Sequence, residues 1–248
     1  MSNSPARHLN LEGASNFRDL GGYAARDGRT VRWRQIFRSN HLGHVTDADI
    51  EILRGLRVRS AFDFRGTEER GTALCGIREI AVHSLPIEPT VVASLRARVA
   101  AGSALSPADA VDVMRDSYRN YVRYNTPSFR TLFAHLLEDR APLVIHCSAG
   151  KDRTGFACAL ILHALGVPDD VIADDYLLTN HFYRRDPNSS SDLPDEVRQV
   201  LGSVEASFLA AAFEAIAEEY GDLETYFSDG LNLGAPARAQ LKARYLES

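Results

Sequence analysis

Cys147 and Arg153 stand six positions apart, with His146 before the cysteine and Thr154-Gly155 after the arginine. Residues 143–155 read Leu-Val-Ile-His-Cys-Ser-Ala-Gly-Lys-Asp-Arg-Thr-Gly. The apolar Leu143-Val144-Ile145 run predicts a strand buried on both faces. Small polar residues then predict a tight loop, and an apolar helix follows. A loop of this kind turns successive backbone N–H groups inward, and the helix N-terminus adds partial positive charge. The result is an anion trap. Gly150 allows a close bend, and the planar fork of Arg153 matches two oxygens of a phosphoryl group. Ser148, Ala149, Gly150, Lys151 and Asp152 complete the expected cradle. The same donors and dipole stabilise a thiolate, so Cys147 is placed for in-line attack on phosphorus and a covalent phosphocysteine. His146 is expected to orient the loop through its ring N–H. Thr154 is expected to donate its hydroxyl to the departing thiolate.

Protonating the leaving oxygen needs an acid, and two aspartates compete for that role. Asp152 lies inside the loop beside Arg153. Asp63 ends a predicted strand, and strand ends converge on the site in parallel α/β sheets. The loop position favours Asp152, although a helix N-terminal acid also serves the dipole and Asp63 could serve as an ion-pair partner. Lys151 is one of only two lysines among 28 basic residues. Its compact charge suits a multiply phosphorylated headgroup, against the plainer reading of a solvated side chain. Asn16, Arg18, Asp19 and Arg65 are candidate pocket residues; the alternative for Asn16, Arg18 and Asp19 is clamping turns near the site. Asn180 and His181 could line the wall or simply end a helix. Cys158 falls inside an apolar helix and reads as core. Cys75 could reach Cys147 in a protective disulfide.

The elements that must position these groups follow from periodicity and punctuation. Thr46 caps a helix running through Ile50, Leu53 and Leu56. Short strands are predicted over 58–64 and near 77–85. Ser106-Pro107 opens a helix to about residue 124. Pro127 starts another, with Phe129, Leu132, Phe133, Leu136 and Leu137 on one face, and Pro142 ends that stretch. The helix after the loop is predicted over Thr154–Leu165, stopped by Gly166. Helices are expected at 169–182 and 194–220, the latter ended by Gly221, with two short ones closing the chain. Residues 186–192 read as a surface loop, and 90–125 and 182–205 are lid candidates by position and polarity. Strands scattered among many helices imply one α/β domain over residues 1–248, with a mainly parallel central sheet and a helical C-terminal addition.

Composition narrows the partners. The chain has 248 residues and a net charge of −5, against a general nucleic-acid surface. No apolar run approaches the ~18 residues of a membrane helix. The start, Met1 to Gly13, shows no readable secretory signal. Three cysteines without metal-like spacing point to a reducing cytoplasm, with signal-independent secretion still open. The eight histidines form no ligand pattern, so neither metal nor other cofactor is expected.

His-Cys-x5-Arg-Thr-Gly in a strand–loop–helix setting resembles the atypical bacterial tyrosine and lipid phosphatases. The resemblance extends over most of the chain. It includes Asn16-Phe-Arg-Asp-Leu-Gly-Gly-Tyr23, Phe37-Arg38-Ser39, Asp63-Phe-Arg65 with Glu69-Arg70, Asp175-Tyr-Leu-Leu178 and Tyr220-Gly-Asp-Leu-Glu-Thr-Tyr226. It implies a cysteine-phosphatase fold, no metal, and activity on phosphotyrosine, extending to phosphoserine/threonine or phosphoinositides, with inorganic phosphate as product. Ordinary tyrosine phosphatases carry their acid in Trp-Pro-Asp. The single tryptophan here, Trp33, precedes Arg34, so that element is absent. Asp152 matches the acid position of the myotubularin-like lipid phosphatases, and Ala149-Gly-Lys151 resembles the loop of phosphoinositide 3-phosphatases. Two other readings are a rhodanese-type sulfurtransferase and a non-catalytic phospho-ligand binder.

Overall fold

The computed structural model describes residues 5–71, 77–100, 105–138, 141–185 and 193–248. Cys75 and the 186–192 stretch lie outside the described residues, as do parts of both lid candidates. In chain order the elements are β1 (Arg18–Asp19), β2 (Thr30–Val31), β3 (Ile36–Ser39), α1 (Asp47–Gly55), β4 (Ser60–Asp63), α2 (Thr67–Gly71), β5 (Ala81–Ser84), α3 (Val91–Ala100), α4 (Pro107–Leu137) and β6 (Leu143–His146). They continue with α5 (Asp152–Leu165), α6 (Asp169–Leu177), α7 (Thr179–Phe182), α8 (Asp195–Gly202), α9 (Ala206–Tyr220), α10 (Leu223–Thr225), a π-turn (Tyr226–Gly230), α11 (Ala235–Tyr245) and β7 (Leu246–Glu247).

The main sheet runs β1-β3-β6-β4-β5. β3, β6, β4 and β5 are mutually parallel, and β1 is an antiparallel edge. β2 and β7 pair separately and tie the C-terminal end back to the early chain. Side chains alternate across the sheet as period-two geometry demands. Ile36, Phe62, Leu143 and Ile145 enter the larger core, while Phe37, Ala61 and Val144 enter a second core beneath α1. That double burial explains the unbroken apolar run at 143–145. β6 is the middle strand, and Ser39 and Asp63 lie in register with its last residue, His146, on either side. The loop after β6 therefore starts between two neighbouring strand ends.

Four helix expectations change, and the first is 169–182, which is two helices, α6 and α7, meeting at Leu178. The proline at 127 does not start a helix: α4 runs unbroken for 31 residues through it. Its buried face continues across the proline from Met114, Tyr118 and Val122 to Phe129, Phe133 and Leu136. α9 packs along it, so tertiary packing outweighs the lost backbone bond. The stretch 194–220 is two helices, α8 and α9, bent by 62° at Ser203-Val204-Glu205. Asn180 holds the break: its side-chain N–H donates to the Val204 carbonyl at 2.8 Å, and its Oδ1 accepts from the Val204 N–H at 2.8 Å. Finally, α5 begins at Asp152 rather than Thr154, which puts Asp152 and Arg153 in its first turn.

Candidate active site

Cys147 is 1% exposed and follows β6 directly. Its loop is held by strands on both sides. Phe64 N–H donates to the His146 carbonyl at 2.9 Å, and His41 N–H to the Ser148 carbonyl at 3.2 Å. Gly150 turns the chain with φ +67°, and a Cβ there would meet the Ser39 carbonyl oxygen at 2.1 Å. No other residue combines that conformation with that approach.

Behind Gly150 lies a buried polar network. The Gly150 carbonyl accepts from Asn16 Nδ2 at 2.9 Å and from Arg38 Nη2 at 3.0 Å. Arg38 Nη1 pairs with Asp175 Oδ2 at 2.9 Å, Arg18 donates to the Asp175 carbonyl at 2.7 Å and to Asn16, and Tyr23 donates to Asp175 at 2.9 Å. Burial alone would push Asp175 up, but Arg18 and Arg38 hold it below the usual carboxylate range. Asn16, Arg18 and Asp19 are wholly buried. Asn16 and Arg18 brace the loop from behind. Asp19 closes a turn, accepting from the N–H groups of Gly21 and Arg34 at 2.8 Å each.

Arg65 is paired with a neighbour in its own strand end. Its guanidinium folds back on Asp63, with Nη2–Oδ2 at 2.8 Å and Nε–Oδ1 at 3.0 Å. Burial pushes Asp63 up, but the Arg65 bonds and the nearby His146 outweigh it and leave the carboxyl below its ordinary value. A carboxylate so held is a poor proton donor. Asp63 is thus ion-paired within its own strand end, while Asp152, paired with Lys151 at 2.9 Å, lines a cavity of about 170 Å³ with Lys151, Arg153, Tyr121, Met114, Glu88 and residues of α3 and α8.

His146 does not orient the loop through its ring. Both ring nitrogens are buried without a hydrogen-bond partner among the described residues, and Nδ1 stays 3.6 Å from Asp63 Oδ1. Burial lowers its pKa to about 4, so the ring is neutral and adds no charge to the cradle. Lys151 is not solvated: it is 4% exposed, with Nζ 2.9 Å from Asp152 Oδ1 and 3.1 Å from the Ser203 carbonyl at the α8–α9 break. Thr154 is buried, with no hydrogen-bond partner for its hydroxyl among the described residues. Cys158 is a wholly buried free thiol in α5, pushed up to about 11 by burial.

Arg153 is anchored by a residue that motif spacing does not single out. Glu69 Oε2 and Oε1 accept from its Nη1 and Nη2 at 2.6 and 2.9 Å, and the Ile87 carbonyl accepts from Nη1 at 2.9 Å. Glu69 also accepts from the Ser148 hydroxyl and, at 2.8 Å, from Gly66 N–H. Burial opposes the charge of Arg153, but Glu69 holds it firmly protonated. No described residue bonds Arg153 Nε, so the fork is fixed at its tips while one N–H stays available. The signal for Glu69 was present only as part of the Glu69-Arg70 stretch quoted above. Tyr118, which donates to Asp152, and Tyr176, which bonds to Tyr118, left no signal beyond ordinary core aromatics. His181 meets Phe182 edge-on, with ring centroids 4.7 Å apart.

A buried cysteine at the C-terminal end of a central parallel strand, a glycine-turned loop and a fixed arginine opening a helix together define a cysteine-phosphatase site. The chain belongs to the tyrosine phosphatase family, whose profile matches residues 9–247. It is 34% identical to a Cupriavidus necator protein named as a tyrosine-protein phosphatase, over 97% of this chain and 89% of that one. It is 32% identical to the triple specificity protein phosphatase PtpB of Mycobacterium tuberculosis, over 88% of this chain and 92% of that one. Among solved structures it aligns with P. aeruginosa TpbA at 17% identity and a TM-score of 0.34, across 74% of this chain and 89% of that one, too loosely to add to the family match. It is a protein-tyrosine phosphatase, a hydrolase of phosphorylated substrates, and the sulfurtransferase reading falls away.

Proposed function

We propose that Cys147 is the nucleophile, Arg153 the phosphoryl clamp and Asp152 the general acid. The observation that carries this is the convergence of all three at one loop: Cys147 leaves β6, and Asp152 and Arg153 open α5. The thiolate of Cys147 attacks phosphorus as the bond to the leaving oxygen breaks, and Asp152 gives that oxygen its proton. Water then attacks the phosphocysteine, its proton passes to the Asp152 carboxylate, and the S–P bond breaks to return thiolate and inorganic phosphate. Backbone N–H groups of the loop and Arg153 carry the charge of the phosphoryl oxygens throughout. Thr154, adjacent in α5 and otherwise unbonded, supplies a hydroxyl for the returning thiolate. Cys147→Ser should remove turnover of para-nitrophenyl phosphate without added metal while phosphate or vanadate still binds; retention of wild-type turnover would sink the mechanism.

The substrate range extends, in this reading, to phosphoserine/threonine and phosphoinositides. A relative named for triple specificity supports the first. The pairing of Lys151 and Arg153 at one cavity wall supports the second, since a second phosphate there meets two cations. Because Lys151 also holds Asp152, Lys151→Ala should slow every substrate, and phosphoinositides most. Equal losses across a panel of phosphotyrosine peptides, phosphoserine/threonine peptides and phosphoinositides would remove the lipid assignment. The free thiols of Cys147 and Cys158 suit a reducing, cytoplasmic setting.

A further inference from the structure

Asp152 is held by one oxygen only. Its Oδ1 lies 3.1 Å from Tyr118 Oη and 2.9 Å from Lys151 Nζ. Among the described residues no donor is found for Oδ2. Tyr118 Oη also lies 2.6 Å from Tyr176 Oη. A carboxylate only accepts, and a phenol has one proton to give. With the Tyr118 proton on Asp152, the Tyr118 oxygen must accept from Tyr176. The direction of the chain is thereby set: Tyr176 donates to Tyr118, and Tyr118 donates to Asp152 Oδ1.

Both phenols are buried to 1% exposure or less, and neither lines the cavity that Asp152 lines. They come from α4 and α6, two helices packed into the main core, so the carboxylate's back side is held by rigid elements rather than by loops. Burying two hydroxyls is costly unless each is paired. Phenylalanine would fill the same space without that cost, and here the pairing ends on the carboxylate that lines the cavity beside Arg153.

We propose that Tyr118, backed by Tyr176, is a positioning residue that grips Asp152 through Oδ1 and thereby leaves Oδ2 as the oxygen that carries the proton to the leaving group. The assignment rests on Asp152 being the general acid. As the proton leaves Oδ2, negative charge spreads to Oδ1, where Tyr118 and Lys151 already donate. When water enters in the second half-reaction, its proton returns to Oδ2 while Oδ1 stays bonded. The grip thus does two things: it aims the carboxyl group and it stabilises the anion formed on proton transfer.

The ionisable groups around Asp152 are Lys151 and Arg153 from its own loop and helix, Tyr118 and Tyr121 from α4, Tyr176 from α6, and Glu88 across the cavity. Burial, with the charge of Asp152 adding to it, pushes all three tyrosines far up, so they stay neutral donors throughout the working range. Loss of the Tyr118 donor therefore removes one bond from the carboxylate and one from Tyr176, which burial keeps neutral. The anion loses a bond, and the basic limb of the pH–rate profile moves to higher pH.

The test is a comparison of wild type, Tyr118→Phe, Tyr176→Phe and Asp152→Asn on para-nitrophenyl phosphate, whose leaving group needs little protonation, and on a phosphotyrosine peptide, whose leaving group needs more. Tyr118→Phe should lower kcat on the peptide by about 10-fold with KM nearly unchanged, shift the basic limb upward, and spare para-nitrophenyl phosphate by comparison. Tyr176→Phe should do the same more weakly. A Tyr118→Phe enzyme with a lower melting temperature but an unmoved basic limb and equal losses on both substrates would overturn the proposal in favour of a packing role. So would loss of vanadate binding together with turnover of both. Asp152→Asn separates the two levels. If it keeps the wild-type limb and peptide rate, the acid assignment itself fails. If it flattens the limb while Tyr118→Phe leaves it in place, only the positioning role fails.

Discussion

The N-termini of α4 and α5 satisfy the same backbone requirement in opposite ways. Both helices start with N–H groups that have no intrahelical partner. α4 spends them on itself: Ser106 accepts from Asp109 N–H at 3.2 Å, Asp109 accepts from Ser106 N–H at 2.9 Å, and Pro107 removes one donor outright. α5 has Lys151 at its cap position and no side-chain cap. α6 and α8 also lack side-chain caps, but their first turns are exposed and water can serve them. In α5 Asp152 is half-buried and the rest of the first turn, Arg153-Thr154-Gly155, is buried. A buried helix start without a side-chain cap leaves its N–H donors facing the loop that carries Cys147, where an anion would complete them.

The sharpest way to break that contrast is at the thiol. Cys147→Ser should reduce para-nitrophenyl phosphate turnover to background with phosphate binding intact, measured by steady-state kinetics and calorimetry. Asp152→Asn should cost ~10²–10³ in kcat on phosphotyrosine peptides and flatten the basic limb, whereas Asp63→Asn should leave that limb in place. Gly150→Ala attacks the loop that feeds the helix start. The strained φ and the clash with Ser39 should lower stability by about 1–3 kcal/mol and turnover with it, read by urea unfolding and kcat. At the capped helix, Ser106→Ala should cost about 1 kcal/mol of stability with kcat unchanged; an activity loss there equal to the loss at the α5 loop would end the distinction.

The smallest expected effect concerns the strand that delivers the cysteine. His146 titrates near 4 in the folded protein because burial disfavours its charged form, against an ordinary value of 6.5. Between those values the unfolded chain binds more protons than the folded one, so stability is full above about 6.5 and falls as pH drops toward 4. His8, His41 and His163, also lowered first by burial, contribute in the same direction. Urea unfolding of His146→Asn from pH 7 to 4.5 should show a shallower slope than wild type, and an unchanged slope would contradict the neutral, buried ring.

Local sequence determined a good deal. The 143–145 run is a doubly buried strand because only parallel central strands need apolar side chains in succession. Gly150 bends and Gly166 stops α5, with φ of 67° and 89°, because no other residue adopts those conformations cheaply. The helix beginning after Thr46 and the one beginning after Ser106 carry their caps in plain view. These features are set by neighbours within a few positions, which is why they are legible.

What remained open depended on contacts between distant residues. The α8–α9 break is invisible in the 194–220 stretch because Asn180 makes it, and Pro127 does not start a helix because the buried face of α4 continues past it from Val122 to Phe129. Lys151 looked like a free charge and is a tie between Asp152 and the Ser203 carbonyl. His146 looked like a ring N–H orienting the loop and is a buried neutral ring with no partner among the described residues. Asp152 and Asp63 could not be told apart by type or spacing, since a carboxylate's role is set by its partners: Arg65 occupies one, while Tyr118 and Lys151 hold only one oxygen of the other. The sequence by itself determined the nucleophile, the loop and the strand–helix frame, because these are local conformational demands. Only the tertiary structure decided which acid faces the cavity and which donors restrain it, because burial and hydrogen-bond partners belong to residues far apart in the chain.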